Sequence, residues 1–213
     1  MNERENVLSC SALPRVAACP ASVPLCEGIA ETPSSEWAEA GQDVHAVCVA
    51  VLMGQPVPEG ASADAITRGQ AFAQRCRQIA DAALGTDYEW HCEVRAWVWN
   101  AAMTERVLTG RWDCAAVTSH PGNRVGLVID LKTGPQAPFT VAPAKRNLQL
   151  SGYALMLAEE FDLAAVFGAI LTSEDEEVGP VQIPHTRGDS LAWPHVSAAA
   201  GAKGKPWHEL HLQ

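Results

Sequence analysis

Asp113, Asp130 and Lys132 are the side chains in this sequence whose types and spacing suit metal-assisted hydrolysis. Asp113 ends the run Gly110-Arg111-Trp112-Asp113, and Asp130-Leu131-Lys132 closes an apolar run that follows across a turn. Residues two apart on a strand share a face, so Asp130 and Lys132 project into one site while Leu131 faces the opposite layer. Antiparallel pairing of the two segments brings Asp113 beside them. Magnesium takes hard oxygen ligands and usually keeps waters. Two carboxylates and a backbone carbonyl, that of Leu131, therefore leave positions for phosphate and an attacking water. An ammonium beside them can orient that water, help deprotonate it and offset developing charge, a task arginine performs less flexibly. An Asp-x-Lys pair alone is common on solvated strands. Here a second carboxylate stands 17 residues upstream inside an otherwise apolar strand, where a buried Asp needs a partner.

The elements that must position these groups are legible in the periodicity. Residues 8–18 read as a short helix with Ser11 near its start, ended by Cys19-Pro20. From Ser35 a polar cap leads into Trp37, Ala40, Val44, Val47, Cys48 and Val51, a helical stripe that stops at Gly54. After a loop with Pro56 and Pro58, residues 61–84 are Ala-rich and helical up to Gly85. The texture then changes: residues 88–99 and 107–118 are rich in aromatic and β-branched residues and predict two strands. Gly122-Asn123 links the second to an apolar strand over 125–131, giving a meander whose last strand is central in the sheet. Residues 143–160 predict a helix and 164–171 a buried returning strand, a β-α-β unit. Residues 173–177 predict an acidic turn, and the chain beyond Pro184 has no clear pattern.

At 213 residues the chain suits a single domain: a mostly helical part over 8–85, a catalytic part over 86–172 and a tail over 173–213. Composition is that of a folded globular protein. The first residues, charged at Glu3, Arg4 and Glu5, lack the apolar run of a signal peptide or membrane span, so the expectation is a cytoplasmic protein with no membrane partner. Seven cysteines, odd in number and without a CxxC pair, predict free thiols and provide no zinc-ligand spacing. A net charge of −10 opposes a simple basic nucleic-acid binder. Residues 93–153, however, carry seven bases against four acids, which permits a locally basic groove on an acidic body.

Taken together, Gly-x-x-Asp, then Val-Ile-Asp-Leu-Lys-Thr-Gly, then Gln149 to Tyr153 as Gln-x-x-x-Tyr resemble the RecB-like, phage exonuclease-like branch of the PD-(D/E)XK nuclease superfamily. The N-terminal third fits the same likeness, with Cys19-Pro20-x-Ser22 ahead of a helix bearing Ala40-Gly41 and His45. The resemblance spans roughly residues 8–172. It implies a mixed α/β fold: a restriction-endonuclease-like core with a central mixed β-sheet flanked by helices, and a helical N-terminal region. It further implies a metal-dependent DNA nuclease, an exonuclease leaving 5′-phosphates in phage-type recombination or DNA processing, in a bacterial or phage-infected cell. Asp113, Asp130, Lys132, Gln149 and Tyr153 are then the catalytic candidates. His45, Asp113, Asp130 and the Leu131 carbonyl are the metal ligands, with Glu93 either holding a second metal or pairing with Arg95 or Arg111. Neutral imidazole beside carboxylates accepts manganese as well as magnesium. DNA, double-stranded ends or single strands, would meet Arg111, Lys145, Arg146, Gln149 and Tyr153. Gln149 and Tyr153, four apart on one helix face, could hydrogen-bond the DNA backbone or position the lysine, whereas Tyr153 could equally be helix packing.

Some relatives hold an iron-sulfur cluster with one early and three C-terminal cysteines. Nothing after Cys114 is cysteine here, so no cluster is expected. No Walker A pattern or helicase motif is present either, so ATP is not implied and the chain would act alone or with a recombination partner protein. Ring-forming relatives make a homo-oligomer conceivable. The tryptophans, Trp37, Trp90, Trp97, Trp99, Trp112, Trp193 and Trp207, could stack on unpaired bases, although most read as core. The competing reading is a catalytically inactive nuclease-fold protein that binds DNA or another protein, which the acidic charge favours.

Overall fold

The computed structural model describes residues 7–26, 36–120, 122–133, 142–172 and 180–202. A short strand β1 (Leu8–Ser9) and a 3-10 turn (Cys10–Ala12) precede α1 (Leu13–Ala18) and α2 (Ser22–Leu25). The long helices α3 (Glu36–Leu52) and α4 (Ala63–Leu84) follow. Then come β2 (Tyr88–Trp90), β3 (Arg95–Trp99), β4 (Arg106–Arg111), β5 (Cys114–Thr118) and β6 (Val125–Lys132). Helix α5 (Leu148–Phe161), β7 (Ala165–Thr172), β8 (Val181–Gln182) and α6 (Trp193–Ala202) complete the described chain.

Local chemistry sets the helix ends. The Ser62 hydroxyl accepts from the Ala65 N–H to start α4, and Gly85 ends it at φ 78°, a conformation glycine adopts without strain. Asn147 accepts from the Leu150 N–H to start α5, and Asp162 stops it in the left-handed region.

Two mixed sheets result, one in the order β1-β4-β3 and one in the order β2-β5-β6-β7-β8. In the larger sheet β6 pairs antiparallel with β5 and parallel with β7, so it is the central strand. The period-two rule sorts its side chains between two cores. Cys114, Ala116, Leu127, Ile129 and Leu131 face α3 and α4, in a core with Val44, Cys48, Phe72 and Cys76. Ala115, Val117 and Val128 face the other way, in a core with α1, α5, α6 and the inner face of the small sheet through Leu13, Leu155, Val196, Ala96 and Leu108. Asp130 shares the parity of Val128 and so lies on the α5 side. The described part of the mixed α/β architecture is thus a large sheet layered between α3/α4 and α5 with the small sheet.

Several boundaries differ from those expected. The first predicted helix begins at Leu13, because Leu8 and Ser9 pair with Leu108 and Thr109 of β4. The two predicted strands over 88–99 and 107–118 are each broken into two that serve different sheets. The breaks lie at His91–Val94 and Trp112–Asp113, and they hold each other: the Trp112 indole donates to the His91 carbonyl at 2.7 Å, and the Glu93 N–H donates to the Asp113 carbonyl at 3.1 Å. Leu108 and Trp112 face the α5 core at even positions, whereas Ala115 and Val117 do so at odd ones, so the alternation slips where the chain changes sheets. The tail contains β8 and α6, which periodicity did not reveal. The acidic turn and the Ser35 cap fall outside the described residues.

Close packing of β4 on α5 requires a missing side chain. A Cβ on Gly110 would lie 2.7 Å from both Tyr153 Cε1 and Met156 Cε. Gly110→Ala should therefore push Tyr153 and Met156 aside and destabilise the fold by about 1–3 kcal/mol. Thermal unfolding of the variant checks this, and an unchanged melting temperature would show that the contact relaxes freely.

Candidate active site

The break between β4 and β5 places Asp113 opposite the end of β6. Its Oδ2 accepts the Leu131 N–H at 2.7 Å, continuing with a side chain the ladder that β5 and β6 form up to Cys114 and Ile129. A strand residue directs its N–H and C=O to the same neighbour, so the Leu131 carbonyl also faces the Asp113 side. On α3, His45 Nδ1 lies 3.6 Å from Asp113 Oδ1. Glu93 arrives from the β2–β3 connection in a left-handed conformation, φ 55°. His45, Glu93 and Asp113 each offer one ligand atom, all within 4.8 Å of one another.

Asp130 forms the second half of the site. It is buried, at 1% exposure, and faces Lys132, whose Nζ lies 3.1 Å from Oδ1 and 2.8 Å from Oδ2. Only the Oδ1 contact has hydrogen-bond alignment, and Oδ2 has no aligned donor among the described residues. The same ammonium donates to Gln149 Oε1 at 3.2 Å. Gln149 in turn donates through Nε2 to Asp130 Oδ1 at 3.3 Å and to the Tyr153 hydroxyl at 2.9 Å. Gln149 lies in the first turn of α5, whose positive N-terminal end favours the carboxylate.

Burial pushes the Asp130 carboxyl up to about 6; the Lys132 ammonium opposes the shift and the Asp113 charge adds to it. Burial would lower His45, but the adjacent Asp113 carboxylate, with Glu93 behind, outweighs it and raises the imidazole. Burial also raises Glu93, opposed by Arg111, whose Nε lies 2.8 Å from Glu93 Oε2. That ion pair is partly exposed and adds little stability, so its consequence is positional. The Tyr153 phenol, only 5% exposed, is raised far above its ordinary range by burial.

A divalent cation fits this donor set. Carboxylate and carbonyl oxygens suit magnesium and manganese, and an imidazole beside them is tolerated better by manganese, a transition ion, than by magnesium. Asp130 Oδ2 is buried but already lies 2.8 Å from the Lys132 ammonium, so the fit rests on the convergent ligand atoms of His45, Glu93 and Asp113, all within 4.8 Å of one another. His45, Glu93 and Asp113 would hold the ion, with the Leu131 carbonyl facing the same side, while Asp130, expected from the sequence as a further ligand, lies against Lys132 and Gln149.

The structure thus brings His45, Glu93, Asp113, Asp130, Lys132, Gln149 and Tyr153 together. Arg111 joins them through Glu93, while Lys145 and Arg146 are exposed in the turn just before α5. Tyr153 is buried, and its hydroxyl accepts from Gln149 Nε2. Two further residues support the site. Arg68 Nη2 of α4 donates to the Thr133 carbonyl at 3.1 Å, and a Cβ on Gly41 of α3 would lie 2.7 Å from Thr133 Oγ1. Gly41 stands in the Ala-Gly step noted in the sequence. Arg68 carries no local signal, because its partner is 65 residues away. Cys48, Cys76 and Cys114, remote in sequence, meet in the α3/α4 core as free thiols.

With this geometry in view, the family model of the PD-(D/E)XK nuclease superfamily matches residues 7–189. The chain belongs to that superfamily, whose members are metal-dependent nucleases. No curated protein matches. Among solved structures, SSO0001 is similar at 13% identity over 92% of this chain and 89% of its own, with a TM-score of 0.32. Among the described residues, no helix is long and apolar enough to cross a membrane.

The raised acids tie stability to pH. A carboxyl raised to about 6 binds its proton more tightly folded than unfolded. Stability is therefore complete below the ordinary aspartate range near 4 and is lost as pH rises through about 6. The raised His45 acts in the same direction above its ordinary value. In EDTA, the melting temperature should fall across this window, and added magnesium should reverse the fall. Differential scanning fluorimetry from pH 4 to 8 reads the outcome, and a flat profile would contradict the burial of Asp130.

Proposed function

We propose that this protein is a magnesium- or manganese-dependent deoxyribonuclease of the RecB-like type, an exonuclease that leaves 5′-phosphates in phage-type recombination or DNA processing. One observation carries the reading: a hard-ligand cluster of His45, Glu93 and Asp113 lies beside an Asp130–Lys132 pair that Gln149 locks in place. A solvated strand has no need to hold a lysine this way.

A divalent ion bound there supplies charge to polarise the scissile phosphate and to acidify a water. The side chains do the rest. Asp113 accepts the Leu131 N–H with one oxygen and leaves the other towards His45, which fixes the ligand orientation. Asp130 and Gln149 hold Lys132 Nζ, so one of its protons can be donated to a phosphate oxygen or aimed at the attacking water. Tyr153 holds the Gln149 amide in the orientation that presents Oε1 to the lysine. Arg111, Lys145 and Arg146 supply charge for the DNA backbone.

The net charge of −10 favours the alternative, an inactive nuclease-fold protein that binds DNA or a protein partner. Purified protein incubated with linear double- and single-stranded DNA separates the two. Cleavage with magnesium or manganese and none in EDTA is expected, with Asp130→Ala and Lys132→Ala each slower by about a thousandfold. Silence in every metal condition would overturn the enzyme reading. Glu93→Gln should weaken metal affinity by about ten- to a hundredfold while leaving cleavage recoverable at high magnesium. A metal titration of the rate measures this.

A further inference from the structure

We propose that the outer face of the small sheet is a binding strip for single-stranded DNA that leads into the candidate active site, an inference that rests on the nuclease reading above. In the β3–β4 register, Arg95 stands opposite Arg111, Trp97 opposite Thr109, and Trp99, past a bulge, opposite Arg106. Directly opposite residues share a face. The inner face of the same strands, Ala96, Val98 and Leu108, is sealed in the α5 core.

The outer face is different. Trp97 and Trp99 are only partly buried and belong to neither core, whereas Trp90, Trp112 and Trp193 each pack into one. What the outer pair meets is a cation: the Arg106 guanidinium lies 4.2 Å from the Trp97 ring centre and 5.3 Å from that of Trp99. Two large aromatic faces on a strand, interleaved with three arginines, match the chemistry of an unpaired nucleic-acid strand. Bases stack on the rings and phosphates meet the guanidinium groups. A duplex hides its base faces and would use only the arginines. The positive character also selects a polyanion, against the acidity of the chain as a whole.

The strip runs into the site. Arg111 ends β4 two residues before Asp113, and Glu93 touches Arg111 while sharing the ligand cluster with Asp113 and His45. From Arg111 to Arg106 the strand extends about 17 Å at its usual rise, enough to track a few nucleotides towards the reacting phosphate. Arg106 would exchange its ring contacts for phosphate or stack between ring and base as the strand enters.

The test measures binding without catalysis. In EDTA, fluorescently labelled oligothymidylate and the same strand annealed to its complement are titrated with the full chain at several salt concentrations. Tighter binding of the single strand is expected. Trp97→Ala with Trp99→Ala should weaken it about tenfold or more with the salt slope unchanged, whereas Arg95→Ala and Arg106→Ala should lower the slope. Photocrosslinking of a bromouracil-substituted strand to the unmutated protein, with adducts mapped to Trp97 or Trp99, decides the matter if the double variant does not fold. Equal affinity for duplex and single strand, insensitive to the tryptophans, overturns the proposal. So does a shift in oligomeric state of the Trp variant with DNA binding intact, which would make the face a contact between copies. Because this readout is binding and not cleavage, tryptophan-dependent single-strand binding by a protein that is silent in the metal assay above would sink the nuclease reading alone, whereas cleavage in that assay with no tryptophan-dependent single-strand binding here would sink this inference alone.

Discussion

A carboxylate buried in the middle of a sheet is the constraint on which the rest of this structure depends. Asp130 sits on the central strand β6, shielded from water, and an uncompensated charge there would cost several kcal/mol. The compensation reaches it from the same strand and from the helix above. Lys132, two residues on, has the right parity, and the first turn of α5 brings Gln149 to both groups. For α5 to approach so closely, the strands and turns beneath it must be slim. Gly110 of β4 and Gly152 of α5 meet this need, the latter against Cys10 and Leu13. The same burial that makes Asp130 expensive raises its proton affinity, and the Lys132 ammonium, within 3.1 Å of both carboxylate oxygens, is what holds that rise in check.

The second constraint is the paired break in the strands. Were residues 106–118 one continuous strand, Asp113 would be an ordinary ladder residue and its side chain could not cap Leu131. The chain instead changes sheets at Trp112–Asp113, which frees the Asp113 side chain to substitute for the missing ladder bond. The connection from β2 to β3 breaks alongside, pinned by the Trp112 indole, and carries Glu93 into reach. A bulky core residue and a catalytic candidate thus occupy adjacent positions for one reason: the first anchors the bend that exposes the second. The small sheet that begins at this bend turns its outer face, with Trp97 and Trp99, away from both cores.

Much of the fold was legible because it follows from local periodicity. The stripes of α3, α4 and α5 and the central apolar strand with its Asp-x-Lys ending express themselves within a dozen residues, whereas the caps at Ser62 and Asn147 were defined only by the structure. The strand breaks did not, since aromatic and β-branched residues continue through them and alternation slips by only one position. The short strand β1 lies in a segment whose spacing predicts helix, because two residues carry no period of their own and only pairing with β4 defines them. Arg68 and the three-cysteine contact were illegible for the same reason, being made by segments that meet only in space.

By itself the sequence determined the chemical inventory: which carboxylates, which lysine and which helix-borne amide and phenol could share a face, since side-chain parity on strands and helices depends only on backbone geometry. It determined the layered α/β class as well. Tertiary structure alone decided how that inventory divides. It grouped His45, Glu93 and Asp113 into one ligand cluster and committed Asp130 to Lys132 and Gln149. It sealed Tyr153 beneath them as a positioning group and left Trp97 and Trp99 outside. The reason is that burial and distance between remote segments follow from how layers pack, and packing is a property of the whole chain that no local pattern encodes.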